Sequence, residues 1–403
     1  MARLLDVTRL ARRVGRPVLT GIDRVEKLWL DHLLTRPDPL WLLMGRGRRQ
    51  VLLPREAGPV LLGWVAEPPQ PEGLVERLIA RRHGPAGIAR HRLARLALAG
   101  AAAGRIAPAV ARAMPQGGWY LNLGHLNAEA PRLAALGRVP RLKRAVFLHD
   151  TIPLDHPEWS EPHAVTQLST LIAAANRHAE RVIANSAATR DALHRHGLTR
   201  PVRVALLGIE DIAPDPTALP SALDPARPYF VALGTIEPRK DHELLLDLWD
   251  SLRGDPPPGG LPQLLIAGRR GWQGAGVLAR LDAAAGDPSR GVIETGDLSD
   301  AGVAAALQGA VALLMPSRAE GFGLPVFEAA RLGCPVIAAP LPVYDEIPTA
   351  SVVYAPAGDL YAWRSRVIEA VAQKATEGPG QPRAPQPVPG WPEHFNTVLA
   401  CLT

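Results

Sequence analysis

Residues Leu313 to Ile337 read LLMPSRAEGFGLPVFEAARLGCPVI, and this stretch decides the fold. Val311 to Met315 is an apolar run of strand length that stops at Pro316. Ser317, Arg318, Glu320, Gly321 and Gly323 then make a polar, glycine-rich loop. Pro325 suits the first turn of a helix, where a missing N–H costs nothing. Gly333 stands where a helix ends in a left-handed residue, and Cys334 to Ala339 reads as a second buried strand. The unit is therefore strand, loop, helix, strand. A helix N-terminus offers N–H groups and the positive end of its dipole, so anions bind there readily. Glu320 and Glu328 bracket that end and can accept hydrogen bonds from ligand hydroxyls. Two readings fit these residues alone: a site for a phosphate-bearing, polyhydroxylated ligand such as a sugar nucleotide, and a plain βαβ unit whose loop glutamate is solvated.

Composition narrows the field. The 403 residues suffice for two or three domains at roughly 100–200 residues each. A hydrophobic content of 47% provides for large cores and argues against global disorder. The net charge of +6 is mild for this length, and no aromatic-interleaved basic module is present, so nucleic acid is not an expected partner. The only cysteines, Cys334 and Cys401, are no disulfide framework. The opening MARLLDVTRLARRVG scatters charges and has no apolar centre, so a signal peptide is not expected. No stretch reaches the roughly 18 apolar residues of a membrane span. The expected location is the cytoplasm.

Outward from the opening unit, both halves alternate strand and helix. Thr20 with Asp23 forms a capping-box pattern that opens a helix to about His32, and Gly21 sits at that turn either as an ordinary cap residue or as a point of close ligand approach. Val60 to Val65 reads as a strand. Leu74 to Ala113 turns to Ala, Leu and Arg, as in a pair of basic amphipathic helices. These suit either an anionic membrane surface or a solvated domain face. Trp119 to Leu123 is a strand that ends beside Asn122, and Arg144 to Leu148 is a strand that runs into His149-Asp150. In α/β sheets ligands gather at the carboxyl ends of strands. Glu210 to Pro228 is polar and proline-rich and reads as an inter-domain linker. Beyond it, Tyr229 to Leu233 leads into Gly234-Thr235-Ile236-Glu237-Pro238-Arg239-Lys240, which places Arg239 and Lys240 at another helix N-terminus. Val292 to Thr295 is followed by Gly296-Asp297-Leu298 and a helix. The architecture expected is α/β, with two Rossmann-like doubly wound domains facing a central cleft. No paired-aspartate metal motif, His/Cys cluster, nucleophile elbow or complete Walker loop occurs, so no metal or cofactor is expected.

Taken together, these residues resemble the family-four retaining glycosyltransferases of GT-B fold. The resemblance rests on GTIEPRKDHELLL, GDLSDAGVAAAL and PSRAEGFGLPVFEAARLGCPVIAAP, the last holding the family's E-x7-E motif, with support from FLHDTIPLDHPEW and ANSAATRDAL. It implies an acceptor-binding domain over residues 1–210, a linker at 211–228 and a nucleotide-sugar domain over 229–385. A C-terminal helix within 386–403 would return to the first domain. It implies catalytic roles for His149, Lys240 and Glu320: His149 facing the reacting sugar, Lys240 neutralising the diphosphate, and Glu320 holding sugar hydroxyls. Donor contacts would come from Gly21, Thr235, Arg239, Gly296, Leu298, Gly321, Phe322, Gly323 and Leu324, with Glu328 on the ribose. Asp150 and Asn122 would face the acceptor. Thr235 departs from the arginine many members carry after the strand-end glycine, and Arg239 is the substitute expected to supply that charge. The wording TGIDRV, HDTIPL and GTIEPRK resembles bacterial mannosyl- and rhamnosyltransferases of O-antigen, capsule and exopolysaccharide synthesis. This implies metal-independent, retaining transfer of a hexose, first of all mannose from GDP-mannose, to a lipid-linked surface glycan. The enzyme would then lie on the inner face of the cytoplasmic membrane. A sugar-nucleotide epimerase and a non-catalytic nucleotide-sugar-binding protein are the competing readings.

Overall fold

The computed structural model describes the chain except residues 17, 47–48, 103, 127, 272–273, 347–351 and 377–382. Among the described residues the strands form two sheets. The first contains β1 (Arg3–Asp6), β2 (Leu40–Arg46), β3 (Arg49–Pro54), β4 (Ala99–Ala102), β5 (Gly118–Asn122), β6 (Leu142–Leu148), β7 (Arg181–Ala184) and β8 (Val202–Val204). Its order is 4-3-2-1-5-6-7-8. Pairing is parallel from β2 through β1 to β8, and the β2–β3–β4 edge is antiparallel. The second contains β9 (Tyr229–Leu233), β10 (Gln263–Ala267), β11 (Val292–Thr295), β12 (Leu313–Met315), β13 (Val336–Ala338) and β14 (Val352–Tyr354). It is parallel throughout, in the order 11-10-9-12-13-14. Strands such as YFVAL and QLLIA are buried at every residue, the continuous apolar pattern of a sheet covered on both faces.

Each sheet has a topological switch. Strand order reverses between β1 and β5 in the first and between β9 and β12 in the second. Loops leaving the carboxyl ends of such strands diverge and open a crevice.

The chain divides into two compact units. Met1–Leu154, His163–Leu206 and His394–Thr403 form the first; Asp155–Pro162 and Leu207–Glu393 form the second. The short Asp155–Pro162 segment thus groups with the C-terminal half, although the sequence places it inside the first domain. The proline-rich stretch expected as a linker belongs to the second unit: Asp215 N–H donates to the Ala301 carbonyl at 3.0 Å, on the helix Asp300–Gly309. The helix Trp391–Ala400 brings His394 to the first unit, where His394 Nε2 accepts the Trp29 indole N–H at 3.0 Å and Nδ1 donates to the Leu206 carbonyl at 2.9 Å. In the second unit Trp249 is buried edge-on against Phe230 and donates its indole N–H to Pro262.

Two expectations from the first half require correction. Val60 to Val65 is not a strand but part of the helix Ala57–Ala66. A short apolar run has no decisive periodicity, and here Gly58 lets the helix approach Leu30 and Leu34 so closely that a Cβ would stand 3.0 Å from Leu34. Leu74 to Ala113 is not simply a helix pair. The helix Gly73–Arg95 breaks at Gly84 (φ 59°) ahead of Pro85, and the alanine-rich β4 intervenes before the helix Ala107–Ala113. Pairing with β3 overrides the helical preference of alanine there. Among the described residues no helix is long and apolar enough to cross a membrane.

Candidate active site

The second sheet places two loops side by side at its switch point, one after β9 and one after β12. After β9 the chain turns at Gly234 (φ 125°), where an added Cβ would lie 3.2 Å from Lys240 Cε, so the lysine stem runs over the glycine. Pro238–Lys240 forms a single 3-10 turn, and Asp241, left-handed at φ 52°, redirects the chain into the helix His242–Gly254. After β12 comes the Ser317–Gly323 loop, ending at Gly323 (φ 84°), which precedes the helix Leu324–Arg331. Arg318 N–H donates to the Arg239 carbonyl at 2.8 Å, which locks the two loops together.

Glu320 is the centre of this junction. Lys240 Nζ lies 2.5 Å from its Oε1 and Arg239 Nη1 lies 2.9 Å from its Oε2. Burial by itself would raise the Glu320 pKa, but Lys240 and Arg239 outweigh it and hold the carboxyl down at about 2. Burial also pushes the Lys240 pKa below its usual value, against the pull of Glu320. Arg239 Nε meets Glu237 at 2.6 Å, and Arg318 Nε donates to Asp241 at 2.9 Å. The sequence assigned Glu320 to sugar hydroxyls; here both of its oxygens are held by cations. Arg239, the residue expected to compensate for Thr235, stands on the same carboxylate as Lys240.

The other C-terminal residues spread from this centre. Phe322 is buried against Phe327 at 5.0 Å, and Glu328 is half-buried within the helix that follows. Gly296 and Leu298 follow β11, the sheet edge, and Leu298 is buried, with Cδ1 2.7 Å from where a Cβ on Gly302 would stand. Sequence reading missed Tyr344. Its ring blocks a Cβ on Gly323 at 2.5 Å, and its buried hydroxyl has no hydrogen-bond partner among the described residues. In sequence it looks like one more core aromatic.

The first unit builds its own polar cluster at the β1/β5 switch. Asp6 accepts the Tyr120 hydroxyl at 3.0 Å, and the fully buried Asn122 amide donates to Tyr120 at 3.0 Å and to the Leu126 carbonyl at 2.5 Å. Asn122, expected to face the acceptor, is therefore enclosed. His149, 4% exposed, donates Nε2–H to the Leu123 carbonyl at 2.7 Å, stacks on Phe147, and receives no charge from burial: its pKa lies well below the usual value, with His125 adding to the effect. Asp150 accepts the Ile152 N–H at 3.1 Å and is half-buried. Gly21 begins the helix Gly21–Thr35, and Asp23 of its first turn accepts both the Thr20 N–H (2.9 Å) and hydroxyl (2.6 Å) while pairing with Arg9 and Arg13. Glu26, from the same helix, accepts the Leu10 N–H at 3.0 Å, and burial pushes its pKa well above the usual carboxylate value, a group the sequence did not single out.

Residues 227–373, which lie in the second unit, match the family described as glycosyl transferases group 1. The whole chain has the GT-B glycosyltransferase fold. It superposes on HepE from Anabaena, solved in complex with UDP and glucose, with a TM-score of 0.59 over 93% of this chain and 91% of that one at 18% identity. Sucrose-phosphate synthase from Thermosynechococcus elongatus gives 0.58 over 100% and 95% at 15% identity. In sequence, the chain is 30% identical over 217 residues to the serotype-specific mannosyltransferase WbdA of Escherichia coli. That match spans 50% of this chain but only 26% of WbdA.

Proposed function

We propose that this protein is a retaining glycosyltransferase that needs no metal and moves a hexosyl group from a nucleotide sugar to a glycan acceptor. The observation that carries the reading is the Lys240–Glu320–Arg239 junction at the switch point of the sheet matched to glycosyl transferases group 1. Cleaving a glycosyl–phosphate bond builds negative charge on the leaving diphosphate. Fixed cations and a helix N-terminus stabilise that charge without reorganising at the moment of reaction. In this reading Lys240 and Arg239 face the diphosphate, and Glu320 fixes their position. Glu328 takes the ribose, and the Gly321–Leu324 backbone lines the sugar. His149, neutral because it is buried, offers an uncharged imidazole to the transferred sugar. Transfer proceeds on one face of the sugar, with the leaving phosphate taking the acceptor's proton.

Mannose from GDP-mannose is the donor we favour, on the strength of the likeness to WbdA. A lipid-linked, growing surface glycan is the proposed acceptor. Exposed Leu74, Val75 and Leu78 beside the arginines of the helix Gly73–Arg95 support a peripheral position on an anionic cytoplasmic membrane. A thermal-shift panel tests the donor, because a ligand that binds only the folded state raises its apparent stability. GDP and GDP-mannose are expected to raise the melting temperature; a response to UDP and UDP-glucose alone would replace mannose in this reading, and no response to any nucleotide would sink it. NMR of the product's anomeric centre tests retention, and an inverted product would end that part.

A further inference from the structure

A concavity of about 390 Å³ opens in the second unit, walled by Trp159, Arg318, Pro340, Leu341 and Ala357. It lies at the carboxyl ends of β12, β13 and β14, on the same side of the sheet as the cation junction; Ser317 of the Glu320 loop lines it, but Lys240, Glu320 and Glu328 do not. Trp159 reaches it from Asp155–Pro162, the segment that leaves the first half of the chain to join this unit. In sequence that segment follows His149, Asp150 and the short helix Ile152–Asp155. His156 stacks on the Trp159 indole at 4.1 Å and fixes its plane, and the Arg318 guanidinium stands 5.9 Å from its ring centroid.

We propose that this concavity is a subsite for a sugar ring of the acceptor glycan, an assignment that rests on the glycosyltransferase reading. The walls suit a pyranose. Indole, Pro340, Leu341 and Ala357 offer apolar surface to its C–H groups, and guanidinium N–H donors match its hydroxyls. Ligand sites are commonly concave and mostly apolar, with a few placed polar groups, at volumes of about 300–1,000 Å³. The charge balance chooses between a sugar and a phosphate. Asp241 meets both Nε and Nη2 of Arg318 at 2.9 Å, so most of the arginine's charge is already answered. Its Nη1 has no protein partner among the described residues and remains a donor. A neutral hydroxylated ring fits such a group better than an anion does.

Saturation-transfer NMR of the full chain with manno-, gluco- and galacto-oligosaccharides reads the subsite without turnover. At least one series is expected to bind, and Trp159→Ala to weaken it by about tenfold, the scale of one lost aromatic contact. Trp159→Phe should retain most of the binding, and Leu341→Trp, which fills the space, should abolish it. All three variants should keep the nucleotide-induced rise in melting temperature. Equal oligosaccharide affinity in wild type and Trp159→Ala would overturn the proposal, as would inorganic phosphate displacing the sugar. Loss of the nucleotide response in Trp159→Ala would overturn it too, by placing the indole in the donor site. Failure of the parent reading shows separately, as a wild-type protein whose melting temperature no nucleotide moves.

Discussion

At the scale of single residues, the most informative atom pair is Lys240 Nζ and Glu320 Oε1. A carboxylate that holds two cations competes with any incoming diphosphate for them. Glu320→Gln removes that competitor, so nucleoside diphosphate should bind the variant more tightly, by about threefold to tenfold, the scale of one charge-assisted hydrogen bond released. Turnover should still fall, because the cations lose their fixed aim. Lys240→Met should weaken diphosphate binding and cut kcat/KM by about 100-fold to 1,000-fold, as for the loss of one preorganised charge-stabilising donor. Calorimetric titration with nucleoside diphosphate separates the cases: if Glu320 only touches sugar hydroxyls, its replacement leaves diphosphate affinity where it was. Sequence could place Glu320 beside a helix N-terminus and could offer Arg239 as the expected substitute for the arginine absent at Thr235. It could not show that Arg239 and Lys240 share the Glu320 carboxylate, because that depends on β9 and β12 being sheet neighbours across roughly eighty residues of chain.

At the scale of elements, the strand–loop–helix–strand unit was legible because each boundary is marked by a residue with one physical role. Pro316 closes β12, Gly323 and Gly333 take the left-handed conformations that a side chain resists, and Pro325 opens the helix. Gly323 carries a second constraint absent from the sequence, the Tyr344 ring 2.5 Å from where its Cβ would stand. Gly323→Ala should therefore cost about 1–2 kcal/mol from backbone strain alone and more from the clash, and should lower nucleotide affinity by tilting the helix N-terminus. Urea unfolding with and without nucleotide would measure both; an unchanged midpoint would show that the turn is not needed. The helix Ala57–Ala66 and the strand Ala99–Ala102 were illegible for the opposite reason. Short apolar or alanine-rich runs take the structure their neighbours impose, Leu30 and Leu34 in one case and β3 in the other. The helix Gly73–Arg95 carries exposed Leu74, Val75 and Leu78, at 77%, 61% and 62% exposure, beside its arginines, and these three carry the proposed membrane contact. Replacing all three by serine should abolish sedimentation with anionic vesicles at low salt, and leave nucleotide binding intact. Equal sedimentation of the variant would remove the membrane from the reading.

At the scale of the whole molecule, the two units carry different loads of buried histidine, and acid should separate them. In the first unit His125 is held down at about 3, His394 at about 4, and His149 well below its usual value, each chiefly by burial. The second unit has His242 at about 4, again from burial. A histidine whose folded pKa lies below its unfolded value of about 6.5 gives stability that is complete above that pH and lost as pH falls toward the folded value. Within this window each such histidine steepens the loss by about 1.4 kcal/mol per pH unit. Glu26 works against this in the first unit: its raised pKa makes the folded state bind a proton at higher pH than the unfolded chain does. His32 and His178 add smaller depressions in the histidine direction. The Glu320 carboxyl of the second unit, at about 2, contributes stability that is lost only below about 4.5, where the unfolded group begins to protonate. Between pH 6.5 and 4.5 the first unit should therefore lose stability more steeply than the second. Scanning calorimetry of the full chain at pH 7, 5.5 and 4.5 is expected to show one transition dropping away from another, and the nucleotide that raises one of them labels the donor-binding unit. If the two transitions move together, or the nucleotide-responsive one falls first, the buried histidines do not govern acid stability and the neutral state assigned to His149 loses its support.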